Sequence, residues 1–394
     1  MCVTPPTDMG PARAVDSRLA DIERRLNLII NVTPTNAAEA WTDFERSSFG
    51  AVPTLRAREL TFDPDLVKRD LYNVEIETVD DPALKELFRE KRDEVARHVT
   101  LLEDRDTSRF LYGSLQLYGE PGDALVTTAR TLLELIPPQT VAGAGITAGA
   151  FADAARTELE SYRERYDGFV VAVEVRDDIA DLMVSMGRLL IPTTAGFREE
   201  RVEPLIQHEV GTHVVTFRNG EAQPLKLLSV GLPAYEETQE GLAVLAEFLV
   251  GGLDPRRLRV LAARVIAASM MLSGEDFLGI FEYLRETHRF APRTAWSIVT
   301  RVTFGGGSTK DIIYLRGIER VLDFVAEHKN LDPLLVGKLS LDHVPLVEDL
   351  LARELIHPAW VRPHWLDAPG APERLDRLRE GVRVEDLLEE GAAA

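Results

Sequence analysis

"QHEVGTH", residues 207–213, sets two histidines five positions apart, with a glutamate directly after the first. In the HExxH pattern of zinc peptidases the histidines stand at i and i+4 on one helix face, and the glutamate polarises the metal's water. One additional residue changes that geometry. At about 100° per residue, a spacing of i+5 puts His213 roughly 140° around from His208, so a regular helix aims the rings apart. A single π-type turn would return them to one face, and such turns occur preferentially at functional sites. Gly211, inside the motif, is the expected place for the backbone to give. The spacing therefore predicts a helix with an i→i+5 irregularity between His208 and His213.

Taken alone, these residues could also be polar groups on a solvated helix face. A catalytic zinc takes three protein ligands and keeps a position for water, with His/His/Glu as one standard set. "EETQEGLA" at 236–243 offers a carboxylate on the next helix. Ala243, Leu245, Ala246 and Leu249 make that helix core-packed, and Glu240 at its start would be costly to bury without a cation. That pairing favours a metal site.

"HEVGTH" together with "QEGLA" resembles the QEGLA-motif proteins of bacteria and their animal relatives, the microtubule-associated tyrosine carboxypeptidases, which are HExxxH zinc peptidases. "NVTPTNAAEAWTDF", "SRFLYGSLQLYGEP", "MVSMGRLLIP", "GGGSTKDIIYLRG" and "LLVGKLSLDHVPLVEDLL" are similar to segments of that family as well. The resemblance implies Zn2+ as cofactor, His208, His213 and Glu240 as its ligands, and Glu209 as general base. It implies removal of a C-terminal residue from a peptide or protein tail. Tubulin specificity belongs to the animal branch. This acidic chain shows no basic N-terminal extension for docking on an acidic microtubule, so tubulin is not expected as its substrate.

Outward from the motif, the pattern is mainly helical. "GFVVAVEVRDD" and "LMVSMGRLLIP" read as adjacent strands of a small sheet just before it. "PAYEETQEGLAVLAEFLVGG" and "DPRRLRVLAARVIAASMML" read as helices after it, and "RVTFGGGSTKDIIYLRGIERVLDFVAEH" as a glycine turn opening into another. Upstream, "DSRLADIERRLNLIINVTP" predicts a helix with Asp16 or Ser17 as N-cap and Leu19, Ile22, Leu26 and Ile29 on one face. Residues 81–104 and 121–136 keep the same period, and the Gly/Ala stretch 140–155 reads as a loosely held connection. The expected fold class is α+β: a mainly helical, gluzincin-like catalytic domain with a small β-sheet preceding the metal-binding helix. The expected division is a flexible N-terminus (1–15), a helical part (16–165), a zinc-peptidase core (166–370) that forms one compact unit with it, and a C-terminal helix or tail (371–394).

Composition narrows the function classes. A formal net charge of −20 over 394 residues gives no global positive field for nucleic acid or anionic membrane. The one cysteine, Cys2, can form neither an internal disulfide nor a cysteine-rich metal cage. The most apolar run, residues 258–272, is too short and interrupted to span a bilayer. A cytoplasmic protein is expected.

A peptidase also needs an oxyanion stabiliser and a cation for a terminal carboxylate. Lys310 and Tyr314, one turn apart after the triple glycine, are the candidates for the first role. Arg316, Arg301 and Arg293 are the candidates for the second. Glu237 is the alternative base should Glu209 not serve. "GRLLIP" at 187–192 could be an edge strand that accepts an extended peptide by backbone pairing, or a core strand. His288, His343 and His357 read as structural, and "YGSLQLYG" at 112–119 as core. The rival functions are a metal-dependent amidohydrolase on a small or modified peptide and a non-catalytic, metal-stabilised regulator. The glutamate after His208 argues against the regulator, because a purely structural site needs no base.

Overall fold

The computed structural model describes residues 9–138, 145–179, 181–328 and 330–388. Seven helices come first: α1 (Met9–Arg24), α2 (Leu28–Asn31), α3 (Ala37–Arg46), α4 (Pro64–Tyr72), α5 (Pro82–Glu103), α6 (Arg109–Tyr118) and α7 (Asp123–Leu135). Sequence punctuation explains where two of them start. Asp63 and Asp81 cap α4 and α5 by accepting the free N–H groups of the first turn, and each is followed by a proline that needs no partner there.

The first helix departs from expectation. It begins at Met9, inside the stretch expected to be flexible, and it breaks before Asn27, whose φ is 43°. Leu19, Ile22 and Leu26 are buried as expected, but Ile29, beyond the break, is 39% exposed. Asp16 caps no helix of its own. It lies inside α1, fully buried, and its carboxylate accepts the backbone N–H groups of Lys226 and Leu227 at the start of a distant helix. Burial pushes its carboxyl up to about 6. A cap at a position so remote in sequence leaves no local signal.

The chain then forms β1 (Gly145–Thr147), α8 (Ala148–Arg165), β2 (Val173–Arg176), β3 (Met183–Ser185), β4 (Arg188–Pro192) and β5 (Gly196–Arg198). Of the stretch expected to be a loose connection, residues 140–144 lie outside the described residues, and the remainder is β1 and the start of α8. β1 pairs antiparallel with β5, and the other three strands form a sheet of order β2–β4–β3. β4 runs parallel to β2 and antiparallel to β3. The "GRLLIP" strand is therefore central, with both edges already paired, and it cannot accept a peptide strand.

Helices resume with α9 (Val202–Ile206), a π-helical segment (Gln207–Val214) and α10 (Val215–Glu221) in one continuous run. After it come α11 (Leu227–Val230), α12 (Tyr235–Leu249), α13 (Pro255–Leu272), α14 (Phe277–Glu282) and α15 (Pro292–Thr303). The last are α16 (Ile313–His328), α17 (Val344–Ala352) and α18 (Ala371–Leu378). The result is a mainly helical single domain with small sheets. One apolar cluster surrounds α12, α13 and α16. A smaller one packs Phe151, Leu189 and Ile191 against Val210 and Val214, seating the π-helical segment on the sheet.

Two contacts fix α12. At its start, Lys91 is fully buried between Glu23 (2.7 Å) and Glu94 (2.8 Å), and Glu94 also accepts the Ala234 N–H at 2.7 Å. Glu23, Glu94 and His98 could by spacing hold a metal ion, but the Lys91 ammonium already supplies the cation. Further along, α12 meets α16 backbone to backbone. A Cβ on Gly241 would lie 2.3 Å from the Gly317 carbonyl oxygen, and a Cβ on Gly317 2.2 Å from that of Glu237. An alanine in an ordinary helix interior stabilises by roughly 1 kcal/mol over glycine. Here Gly317→Ala is expected to destabilise by about 1–3 kcal/mol through overpacking, and the sign of the change in thermal unfolding checks it.

Candidate metal centre and active site

The helix that carries the motif is wound as a π-helix over Gln207–Val214, with helical backbone on both sides. The extra residue in each hydrogen-bonded ring brings i+5 back over i. The His208 and His213 rings accordingly face one region, with centroids 5.1 Å apart and planes 80° to one another. The expected irregularity is present, but Gly211 serves it differently. A Cβ there would lie 2.4 Å from Gln207 Oε1 and 2.8 Å from Trp365 Cδ1. The glycine makes room for the Trp365 indole, whose Nε1 donates to the Gly211 carbonyl at 3.1 Å. Thr212 Oγ1 donates back to the Gln207 carbonyl at 3.0 Å, so side chains occupy carbonyls along the wide turn.

Glu240, in the second turn of α12, completes the cluster. Its Oε2 lies 3.7 Å from His208 Nε2 and 3.8 Å from His213 Nε2, and donor atoms of the three residues all fall within 4.8 Å of one another. Tetrahedral zinc with bonds of about 2.0–2.2 Å puts neighbouring donors roughly 3.3–3.6 Å apart. The two Glu240–histidine distances exceed that by a few tenths of an ångström. Among the described residues no lysine or arginine nitrogen lies within 4.0 Å of Glu240, and burial pushes its carboxyl above the usual range. Two imidazoles and a buried carboxylate with no other counter-ion fit a zinc ion.

Neighbouring groups fix the orientation of both imidazoles. His208 Nδ1 lies 2.8 Å from Glu247 Oε1, and Arg201 pairs with the other oxygen of that carboxylate. An acceptor at Nδ1 selects the tautomer whose Nε2 lone pair faces Glu240. Burial alone would raise Glu247, but the His208 hydrogen bond and the Arg201 charge outweigh it and bring its carboxyl down to about 2. Burial would also lower His208, yet Glu247 and the neighbouring carboxylates reverse the sign, and its pKa is raised. His213 is held well below the usual histidine range by burial and by His208, so it is a neutral donor. It is oriented by Gln239, whose Oε1 accepts from Thr216 at 2.7 Å.

Glu209 directly follows His208 yet is not one of the three clustered residues. It is 7% exposed, and burial, opposed by His208 and reinforced by Glu240, pushes its carboxyl up to about 7. Tyr314 is half-buried on α16 with its phenol raised by burial and by Glu240, so it stays protonated as a hydrogen-bond donor. Lys310 pairs with Glu236 and stands 4.9 Å over the Tyr118 ring, so it adjoins the cluster as half of an ion pair.

The three candidate arginines are each engaged by other groups. Arg301 makes a two-pronged pair with Asp311 (2.6 and 2.8 Å). Arg316 binds Glu237 and the Tyr118 carbonyl. Arg293 is exposed and stacks on Trp41 and Trp296 at 4.8 and 4.7 Å. Glu237, taken by Arg316 and Arg320, has no role as a base. Two other arginines approach the cluster. Arg257 and Arg264 lie two turns apart on one face of α13 and flank the Tyr314 ring at 5.6 and 5.1 Å. Glu247 was legible as an acid two turns after Glu240 in an apolar run. The α13 arginines carried no such signal.

A sequence model of the microtubule-associated tyrosine carboxypeptidases matches residues 42–383, a span that contains every residue of this cluster. The chain belongs to that family. It is also similar to the mouse protein described as "Putative tyrosine carboxypeptidase MATCAP2", with 29% identity over 207 residues. That match covers 48% of this chain and 37% of the mouse protein, so the chain spans only part of the relative's length.

Purified protein is expected to hold about one zinc per chain, and His208→Ala or His213→Ala to lose it. Glu247→Gln, which keeps the shape but not the charge, is expected to weaken zinc about 10- to 100-fold. Chelator competition with elemental analysis measures both. Equal zinc affinity for wild type and Glu247→Gln would remove its orienting role.

Proposed function

We propose that this protein is a zinc-dependent metallopeptidase of the HExxxH type, a carboxypeptidase that removes a C-terminal residue from a peptide or protein tail. The observation that carries the reading is the convergence of His208, His213 and Glu240 on one point, with Glu209 buried beside them. Family membership supports it, as does the carboxypeptidase named in the similar mouse protein.

His208, His213 and Glu240 would hold the ion, which supplies Lewis acidity toward a scissile carbonyl and acidifies water. Glu209 takes the proton from the attacking water. The same carboxyl then gives it to the leaving amine nitrogen, which makes Glu209 base and acid in turn. A carboxyl held near 7 suits both directions of transfer. Tyr314, protonated and near Glu240, donates toward the oxygen that gains charge. Glu247 and Gln239 keep the imidazoles aimed. No helix among the described residues is long and apolar enough to cross a membrane.

The test is Glu209→Gln. Zinc content and melting temperature are expected to stay near wild type, while turnover of a C-terminally diverse peptide library, read by product mass, falls roughly 10²–10⁴-fold. Unchanged turnover would assign the proton transfer to another group. Loss of zinc in the same variant would make Glu209 a ligand and reopen the place of Glu240. Release of internal fragments in place of single terminal residues would make the enzyme an endopeptidase.

A further inference from the structure

A carboxypeptidase must bind a negative terminus beside its metal, and most cations around this cluster already have a carboxylate within 4.0 Å, in several cases one shared with a second cation. Lys310 is paired with Glu236, Arg301 with Asp311, Arg201 with Glu247, and Arg316 and Arg320 with Glu237. Arg264 lies 3.5 Å from Asp311, and Arg257 3.9 Å from Glu247. Lys338 is different. Among the described residues no carboxylate oxygen lies within 4.0 Å of its ammonium, which stands only over two rings, Tyr235 at 5.5 Å and Phe217 at 5.6 Å.

The surroundings of Lys338 are built rather than accidental. Its N–H donates to the Leu228 carbonyl at 2.7 Å and its carbonyl accepts from Leu232 at 2.9 Å, so the backbone is fixed on both sides. Gly337 allows that approach, since a Cβ there would lie 2.6 Å from the Leu228 oxygen. The side chain lines a cleft of about 110 Å³ between the α1–α2 link and the turn from β3 to β4. Leu26, Ile29, Ile30, Val184 and Met186 wall the cleft, and His98 and Glu236 also line it. Lys338 and the cluster act on one another: its charge helps hold His213 neutral, and the Glu240 carboxylate pulls on the lysine. Burial brings the lysine down to about 8 against the opposing pull of Glu23, Glu236 and Glu240.

We propose that Lys338 captures the terminal carboxylate of the substrate, whose last residue enters the cleft beside it. This rests on the peptidase reading above and deepens it. With two ring faces as its partners among the described residues, the ammonium lacks the charge-assisted hydrogen bonds that a terminal carboxylate supplies. A peptide whose last residue fills the cleft brings its scissile carbonyl back toward His213 and Glu240. Lys338 then excludes substrates that have no free terminus at that distance. It is a specificity-determining residue, distinct from the proton-transfer and metal-holding groups.

The test uses N-acetyl-dialanyl-phenylalanine as free acid and as C-terminal amide. Binding to the zinc-loaded protein is measured by calorimetry in the Glu209→Gln background, where hydrolysis does not interfere. The free acid is expected to bind about 10- to 100-fold more tightly than the amide, the usual worth of a hydrogen bond to a charged group. Lys338→Met should abolish that difference and leave amide affinity unchanged, while Lys338→Arg keeps most of it. Because each protein is read as an acid-to-amide ratio, a general loss of folded protein does not mimic the result. A ratio that persists in Lys338→Met, or absence of any preference with lysine in place, overturns the assignment. Turnover of the same peptides by protein with Glu209 intact separates the two readings. Lysine-dependent binding without turnover keeps the carboxylate site and removes the peptidase. Turnover that favours the free acid equally in Lys338→Met keeps the peptidase and removes Lys338.

Discussion

Everything at the site follows from one widened stretch of helix. His208 and His213 share a target only because the backbone between Gln207 and Val214 is wound as a π-helix. π-Turns are rare because their geometry is poorer than that of the α-helix, so the surroundings must hold this one. Trp365 and Thr212 occupy carbonyls along the turn, and Val210 and Val214 bury into the sheet cluster on the opposite side. The small sheet is thus the bed that keeps the segment in place, which gives a physical reason for a few short strands within a mainly helical domain.

Around that stretch the protein buries many acids and accounts for most of them individually. Glu236, Glu237 and Glu247 each have an assigned lysine or arginine, and Glu94 has Lys91. Glu209 and Glu240 have none within 4.0 Å among the described residues, and both have raised carboxyl pKa values. An unpaired buried carboxylate is expensive. A cation and a shared proton between the two would relieve that cost, as the proposed function requires. The same subtraction, applied to the cations, leaves Lys338.

The sequence made the axis of the site legible because spacing along one helix is a local property. The i+5 histidines demand a wide turn, and an acid at the head of an apolar helix demands a partner. Both inferences need only helix geometry. The partners of Arg316, Arg301 and Arg293 were not legible, because which carboxylate takes a cation depends on how separate helices meet. Arg316 finds Glu237 across the α12–α16 contact, and Arg301 finds Asp311 across a glycine turn. Asp16 shows the same limit: it looked like the cap of its own helix and instead caps the chain more than two hundred residues on. The central place of the "GRLLIP" strand was likewise hidden, since strand order is set by packing and not by the apolar pattern.

The glycine crossing of α12 and α16 also governs when the site can come into being. Gly241 follows Glu240 directly, and Gly317 lies one helical turn beyond Tyr314, so the docking of these two helices positions both side chains at once. During synthesis the histidine pair emerges well before α16. Until that helix docks, α12 is tied to the histidine helix only through contacts such as His208–Glu247 and Thr216–Gln239, and Tyr314 has no place beside Glu240. The proposed ion would therefore be chosen by the finished fold, whose spacing can discriminate among metals that a nascent chain would bind merely in order of intrinsic affinity.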